Sequence, residues 1–108
     1  MLLLLLLLFN TETFAVTGNV LYSLMESNDP VNKAYTESYI TSVADSLSLV
    51  IGLSMEANRR YPCVPKVGSY QQIFDITKKY LADNPQKRHE SAYILTFIAI
   101  DEAFPCKK

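Results

Sequence analysis

Hydrophobic positions are distributed along the chain in two different ways. Residues 2–9 form an unbroken apolar block that begins with seven leucines. Beyond it, apolar and polar positions alternate with the spacing of amphipathic helices. Prolines, glycines and polar clusters separate these periodic stretches, and no long run shows the two-residue alternation of a strand. The pattern therefore predicts an all-α protein, a compact bundle of about four helices.

The apolar block predicts an export signal. It is too short for a transmembrane helix, which needs about 20 residues, and it has the length of a signal-peptide core. Cleavage after Ala15 would place Thr13 and Ala15 at the two small-residue positions, and cleavage after Gly18 is the alternative. We expect residues 1–15 to be a signal peptide and residues 16–108 a single domain, with membrane attachment only if the segment stays uncleaved. A buried first helix is disfavoured, because seven leucines in a row have no amphipathic period.

The first half of the domain predicts one short and one long helix. The short helix covers residues 19–26. Asp29-Pro30 then pairs an N-cap residue with proline at the first helical position. The helix that it opens is predicted to run to about Asn58. Its apolar positions repeat at spacings of three and four, as on a buried helix face; they are Tyr35, Tyr39, Ile40, Val43, Leu47, Val50 and Ile51.

The second half predicts a loop and two further helices. Two prolines and a glycine fall within residues 59–68 and exclude a helix there. Ser69 and Gln72 have the spacing of a capping box, and Asn84-Pro85 is predicted to end that helix and to cap a last one, from Pro85 to about Ala103. This last helix is apolar on nearly every side, which is typical of a helix that is central or covered by a partner. The expected buried face of the earlier helix consists of Tyr70, Ile73, Phe74, Thr77, Tyr80 and Leu81.

The two cysteines predict a disulfide that staples the bundle. Cys63 and Cys106 each lie beside a proline in a polar junction, and closing this loop is worth about 3–4 kcal/mol in the chain-entropy model. A metal site is the weaker alternative, because His89 is the only other soft ligand and four ligands are normally needed. A catalytic thiol is also weakly indicated. We expect no metal and no cofactor.

Charge and composition favour a protein partner. The formal net charge is −1, which disfavours a general nucleic-acid binder, since phosphate binding needs a basic surface. Residues 16–58 carry five acidic and one basic side chain, whereas residues 59–108 carry nine basic and five acidic ones. Faces of opposite sign suit protein association. The seven tyrosines point the same way, because tyrosine is enriched at interfaces.

The sequence offers no recognisable catalytic set. There is one histidine, no Gly-x-Ser-x-Gly segment and no glycine-rich phosphate loop. We therefore predict a protein that is not an enzyme, with no catalytic residues and no small-molecule substrate. Lys87, Arg88 and His89 form a run of potential cations, and we take them as candidate partner-binding residues. For His89 the alternative is a half-buried histidine that bonds a carbonyl at the preceding helix end.

Several short motifs, in this order and spacing, resemble those of the Rap/Tai family. The matching segments are Ser38-Tyr39-Ile40-Thr41-Ser42-Val43-Ala44-Asp45, Cys63-x-Pro65, Lys79-Tyr80-Leu81-x-x-Asn84-Pro85, His89-x-x-Ala92 and Ala103-Phe104-Pro105-Cys106. The motif residues, to which the resemblance gives structural roles, are Tyr39, Asp45, Pro65, Asn84, Pro85, Ala92 and Phe104. The chain departs from the family pattern at Ser38 and Ser42, where glycines are expected.

The resemblance implies an immunity protein of the bacterial type VI secretion system. Members of this family are helical, disulfide-bonded periplasmic proteins that bind and block peptidoglycan amidases, often as homodimers. We therefore expect a periplasmic protein that inhibits an amidase effector sterically by covering its cleft. The alternative is a chaperone-like or structural adaptor protein of the periplasm with no cognate toxin.

Overall fold

The computed structural model describes residues 16–54 and 69–105, and within them every regular element except one 3-10 turn is α-helical. The elements are α1 (Gly18–Glu26), α2 (Pro30–Ser54), α3 (Tyr70–Asp83), a 3-10 helix (Pro85–Lys87) and α4 (Ala92–Ala103). No strand forms in these ranges, where the only bridge pairs Thr17 with Ser91. The predicted all-α fold of about four helices is confirmed. The proposed disulfide, Pro65 and the signal segment lie outside the described residues.

The predicted helix starts are set by side chains that accept hydrogen bonds from free backbone N–H groups. Asp29 Oδ1 accepts from the N–H of Val31 at 2.8 Å, and Pro30 is the first residue of α2, as predicted. Ser69 Oγ accepts from the N–H of Gln72 at 3.1 Å and begins α3. Each cap satisfies one of the donors that the first turn of a helix leaves unpaired. Residues 55–58, to which α2 was expected to extend, lie outside the described residues.

All four α-helices pack against one another around a single core. Its buried hydrophobic members include Leu21, Ile40, Val43, Leu47, Ile73, Leu81, Leu95 and Ile100. Three threonines, Thr36, Thr77 and Thr96, are also fully buried. Two of them donate to carbonyls of their own helix, Thr36 to Lys33 at 2.9 Å and Thr96 to Ala92 at 2.7 Å. Such bonds let a small polar side chain lie between packed helices without an unpaired hydroxyl.

The last helix begins at Ala92 and not at Pro85, so the predicted start was wrong. In a helix continuing from Pro85, the N–H of Ala92 would donate to the carbonyl of Arg88. Instead it donates to the carbonyl of Val16 at 2.8 Å, while the Arg88 carbonyl accepts from Asn19 at 2.7 Å. Both backbone groups are used by the entry to α1, and the helix cannot run through them. Asn84 therefore caps the end of α3, and its side-chain amide donates to the backbone carbonyl of Tyr80 at 2.9 Å.

One expectation about burial also needs correction. Tyr70 was placed on the buried face of its helix, but it is 54% exposed at the first position of α3. Tyr80 is buried as expected. The last helix buries Leu95 and its neighbours and leaves Tyr93 and Ile94 exposed, so it is not central on every side, and cover by a partner stays a prediction.

Candidate partner-binding site

The N-terminal segment and the turn before α4 are joined by a dense set of backbone hydrogen bonds. We call this region the seam, formed by residues 16–19 and 88–92. The N–H of Gly18 donates to the carbonyl of Glu90 at 2.9 Å. Together with the bonds of Asn19 to Arg88 and of Ala92 to Val16, this bond pairs the first donors of both helices with carbonyls from the opposite segment. The seam thereby fixes where both helices begin.

The seam leaves no room for a side chain at Gly18, which is buried. A Cβ atom at this position would lie 2.5 Å from Leu95 Cδ1 and 3.0 Å from both the Cα and the carbonyl oxygen of Arg88. Two of these three atoms belong to the backbone and cannot rotate away. The close approach of the two segments therefore favours glycine here, since a larger residue would force Leu95 or the Arg88 backbone to shift.

The candidate cations Lys87, Arg88 and His89 lie in the turn at the edge of the seam, before α4 begins. Lys87 and His89 are exposed, so the half-buried alternative for the histidine was wrong. Arg88 is half-buried, and its guanidinium lies 4.5 Å from the centre of the Tyr22 ring, a favourable cation–π contact within the protein. The run therefore presents two outward side chains and one that ties the turn to α1.

Three tyrosines cluster along one flank of α2, two of them on α2 itself and the third, Tyr93, on α4. The rings of Tyr35 and Tyr39 are stacked with centres 6.2 Å apart. Burial raises the pKa of Tyr39, and the nearby phenols of Tyr35 and Tyr93 raise it further. Tyr35 and Tyr93 remain 44% and 42% exposed. This flank is a partly covered aromatic surface between α2 and α4.

The opposite flank of α2 forms one wall of a groove with α3. Its volume is about 220 Å³, and its lining consists of Glu37, Ile40, Thr41, Tyr70, Gln71 and Phe74. Ile40 is buried and Phe74 half-buried, so they supply an apolar floor. Glu37, Tyr70 and Gln71 are exposed and form the polar rim. None of these lining residues is basic.

A hydrogen bond between α2 and α3 holds the rim in place. The hydroxyl of Tyr70 donates to Asp45 Oδ1 at 2.9 Å. This bond raises the pKa of Tyr70, because ionisation would remove the donated proton and place two negative charges side by side. Asp45, one of the motif residues, thus fixes the position of a groove residue.

Sequence analysis did not find the groove. Its signal was present: Glu37, Thr41 and Asp45 follow one another at spacings of four, which places them on one flank of a helix. That flank lies next to the core position Ile40. What the sequence could not supply was the opposing wall, because α3 meets α2 only through the tertiary fold.

The motif residues that the structure describes lie at helix ends and in contacts between helices. Tyr39 and Phe104 are half-buried, and Ala92 is fully buried at the start of α4. Asn84 and Pro85 form the junction between α3 and the 3-10 helix. Pro65, Cys63 and Cys106 lie outside the described residues.

The described residues contain neither a metal-binding cluster nor a helix able to cross a membrane. In residues 16–54 and 69–105, no group of three or more His, Cys, Asp or Glu side chains is placed to hold a metal ion. Across the same part of the chain, no helix has the length and apolar character needed to cross a membrane.

The described surface combines an exposed tyrosine flank, a groove with one carboxylate at its polar rim, and a turn with an outward lysine and an outward histidine. Residues 17–106 match the family described as Rap1a immunity proteins, and the chain belongs to that family. No curated protein and no solved structure matches the chain.

Proposed function

We propose that this protein is a periplasmic immunity protein that binds a type VI secretion effector, a peptidoglycan amidase, and inhibits it sterically. Membership of the Rap1a family, over residues 17–106, is the observation that carries the proposal. Inhibition by occlusion asks for a rigid surface that fits the enzyme's cleft and for no chemistry by the inhibitor. A helical core with interlocked helix starts supplies such rigidity.

The periplasmic location rests on the apolar block at the N-terminus together with the family. The seam favours cleavage after Ala15 over cleavage after Gly18. Cleavage after Gly18 would remove the Val16 carbonyl that accepts from Ala92, and with it the Gly18 N–H that donates to Glu90. We therefore propose that the exported protein consists of residues 16–108.

The proposed contact region includes the turn with Lys87, Arg88 and His89. Lys87 and His89 are exposed and available to an effector. Arg88 contributes by holding the turn against Tyr22, 4.5 Å from its guanidinium. Because the backbone of this turn is bonded to α1 through the seam, its outward side chains are presented from a fixed position.

A protection assay tests the proposed function. The proposal predicts an amidase gene beside this one, and its product is directed to the periplasm of a host cell, where it is expected to lyse the cell. Co-expression of the full chain is expected to prevent lysis, whereas the same chain without residues 1–15 stays in the cytoplasm and gives no protection. Continued lysis despite folded protein in the periplasm would contradict the proposal. Weak binding to many unfolded proteins would instead support the chaperone-like alternative.

A further inference from the structure

We infer that the groove between α2 and α3 receives an arginine side chain of the effector. This inference rests on the proposed function, because it names the chemistry by which the effector is recognised. The groove is lined by Glu37, Ile40, Thr41, Tyr70, Gln71 and Phe74. Its apolar floor and the carboxylate of Glu37 at its rim match a side chain that carries a cation at the end of an aliphatic stem.

The size of the groove favours a single side chain. Its volume is about 220 Å³, whereas pockets for drug-sized ligands and cofactors run from roughly 300 to 1,000 Å³. A drug-sized molecule would protrude from the groove, whereas one long side chain is of a size that it can hold. The occupant is therefore expected to be a protruding residue of a protein partner.

The hydrogen bonds of the rim residues leave acceptor atoms free for a ligand. Tyr70 donates its hydroxyl proton to Asp45 at 2.9 Å, which leaves the phenol oxygen as an acceptor. Gln71 Nε2 donates one of its two N–H groups to Asp75 Oδ1 at 2.9 Å, and its amide oxygen is an acceptor. An ionised glutamate such as Glu37 accepts only. A ligand rich in donors can use each of these acceptors.

Arginine is the side chain that best meets these requirements. Its guanidinium carries five N–H donors and no acceptor, and its planar face packs on aromatic rings such as that of Phe74. Phe74 and Ile40 offer apolar surface to the stem. Glu37 is the only charged residue of the lining, so the groove favours a cation over an anion.

The first test uses a small probe and needs no effector. The processed protein, residues 16–108, is titrated with N-acetyl-arginine amide, while the backbone amide signals of Gln71 and Phe74 are followed by NMR. We expect saturable shifts with a dissociation constant on the order of 1 mM. N-acetyl-citrulline amide, the neutral analogue of the same shape, is expected to bind at least several-fold more weakly. Equal shifts with both probes, or no saturation with arginine, would overturn the inference.

A matched pair of variants assigns the effect to the groove. Glu37→Gln removes the rim carboxylate and is expected to weaken arginine binding roughly 10-fold. Glu102→Gln, an exposed position on α4 outside the groove lining, is expected to leave it unchanged. Both variants should keep the wild-type Tm. A lower Tm for Glu37→Gln alone would show that this carboxylate is used within the protein, which contradicts a groove open to a ligand.

The second test uses the amidase itself. Glu37→Gln is expected to weaken amidase binding roughly 10-fold, while Glu102→Gln binds like the wild type. Unchanged affinity for both would reject the groove as the effector's site and leave the immunity function standing. If the wild type itself fails to bind while the arginine probe still titrates, the proposed function is wrong and the chemistry of the groove is retained.

Discussion

The seam and the groove lie between different pairs of helices, α1 with α4 and α2 with α3, and they are packed in opposite ways. In the seam, residues 16–19 and 88–92 satisfy one another's backbone groups, and Gly18 has no space for a single carbon atom. In the groove, side chains of α2 and α3 stand apart around about 220 Å³ of open space, with acceptors at the rim. The comparison indicates that the backbone of the seam determines the fold, whereas the groove and the outward side chains of the Lys87–His89 turn are open to a partner. Substitutions in the seam should therefore change stability, and substitutions in the groove should change binding.

The largest effect is expected from Gly18→Ala in the seam. The added Cβ would lie 2.5 Å from Leu95 Cδ1 and 3.0 Å from the Arg88 backbone, an overpacking that costs about 2 kcal/mol. Thermal unfolding followed by circular dichroism should show a Tm lower by roughly 10 °C. Asn19→Ala, an exposed neighbour whose backbone bond is retained, is the control. An unchanged Tm for Gly18→Ala would mean that the seam is not close-packed.

A smaller effect is expected where the fold supports the groove. Ser69 caps the helix whose first turn carries Tyr70 and Gln71. Ser69→Ala should lower the free energy of unfolding by about 1 kcal/mol, measured by urea denaturation. Ser69→Asp, which keeps an acceptor at the cap, should retain most of the stability. Equal losses in both variants would contradict a capping role.

The ring contact at the edge of the seam should contribute less. Tyr22→Leu removes the aromatic face beneath the Arg88 guanidinium, 4.5 Å away, and is expected to cost about 0.5–1 kcal/mol in urea denaturation. Tyr22→Phe keeps an aromatic face and should unfold near the wild-type urea concentration. If the phenylalanine variant loses as much as the leucine variant, the tyrosine hydroxyl and not the ring carries the contact.

The smallest effect concerns the pH dependence of the groove rim. The bond to Asp45 raises the pKa of Tyr70 above its usual value of 10.0. A raised pKa in the folded state means that this stabilisation is present below pH 10 and is lost as the pH rises through the raised value. Asp45→Asn should shift the titration of Tyr70 towards lower pH. Tyrosinate absorbance, with Tyr70→Phe identifying the signal, measures the shift, and an unchanged titration would show that the bond is absent in solution.

Local chemistry was sufficient to predict the helix starts that depend on neighbouring residues. Asp29 and Ser69 each bond an N–H within three residues, so their effect is visible in a short stretch of sequence. The prediction for the start of α4 failed because the backbone groups of Arg88 and Ala92 bond to those of Asn19 and Val16, which are far away in the chain. No local pattern carries that information.

The candidate site shows the same difference between features that depend on neighbouring residues and features that depend on the tertiary fold. The sequence singled out Lys87, Arg88 and His89, but the Asn-Pro junction placed them in the first turns of a helix, whereas they precede α4. Apolar spacing placed Tyr70 in the core, yet its position at the start of α3 leaves it exposed, where it bonds Asp45. The groove required two helices to be placed side by side, which spacing along one helix cannot supply.

The most direct test of the central claim is a calorimetric titration. The processed protein, purified from the periplasm with its cysteines oxidised, is titrated against the amidase encoded beside its gene, and amidase activity is measured in the same samples. The proposed immunity role predicts one amidase per protomer, a dissociation constant on the order of 10 nM or lower, and loss of activity at saturation. No binding by the folded protein, or binding that leaves the amidase fully active, would contradict it.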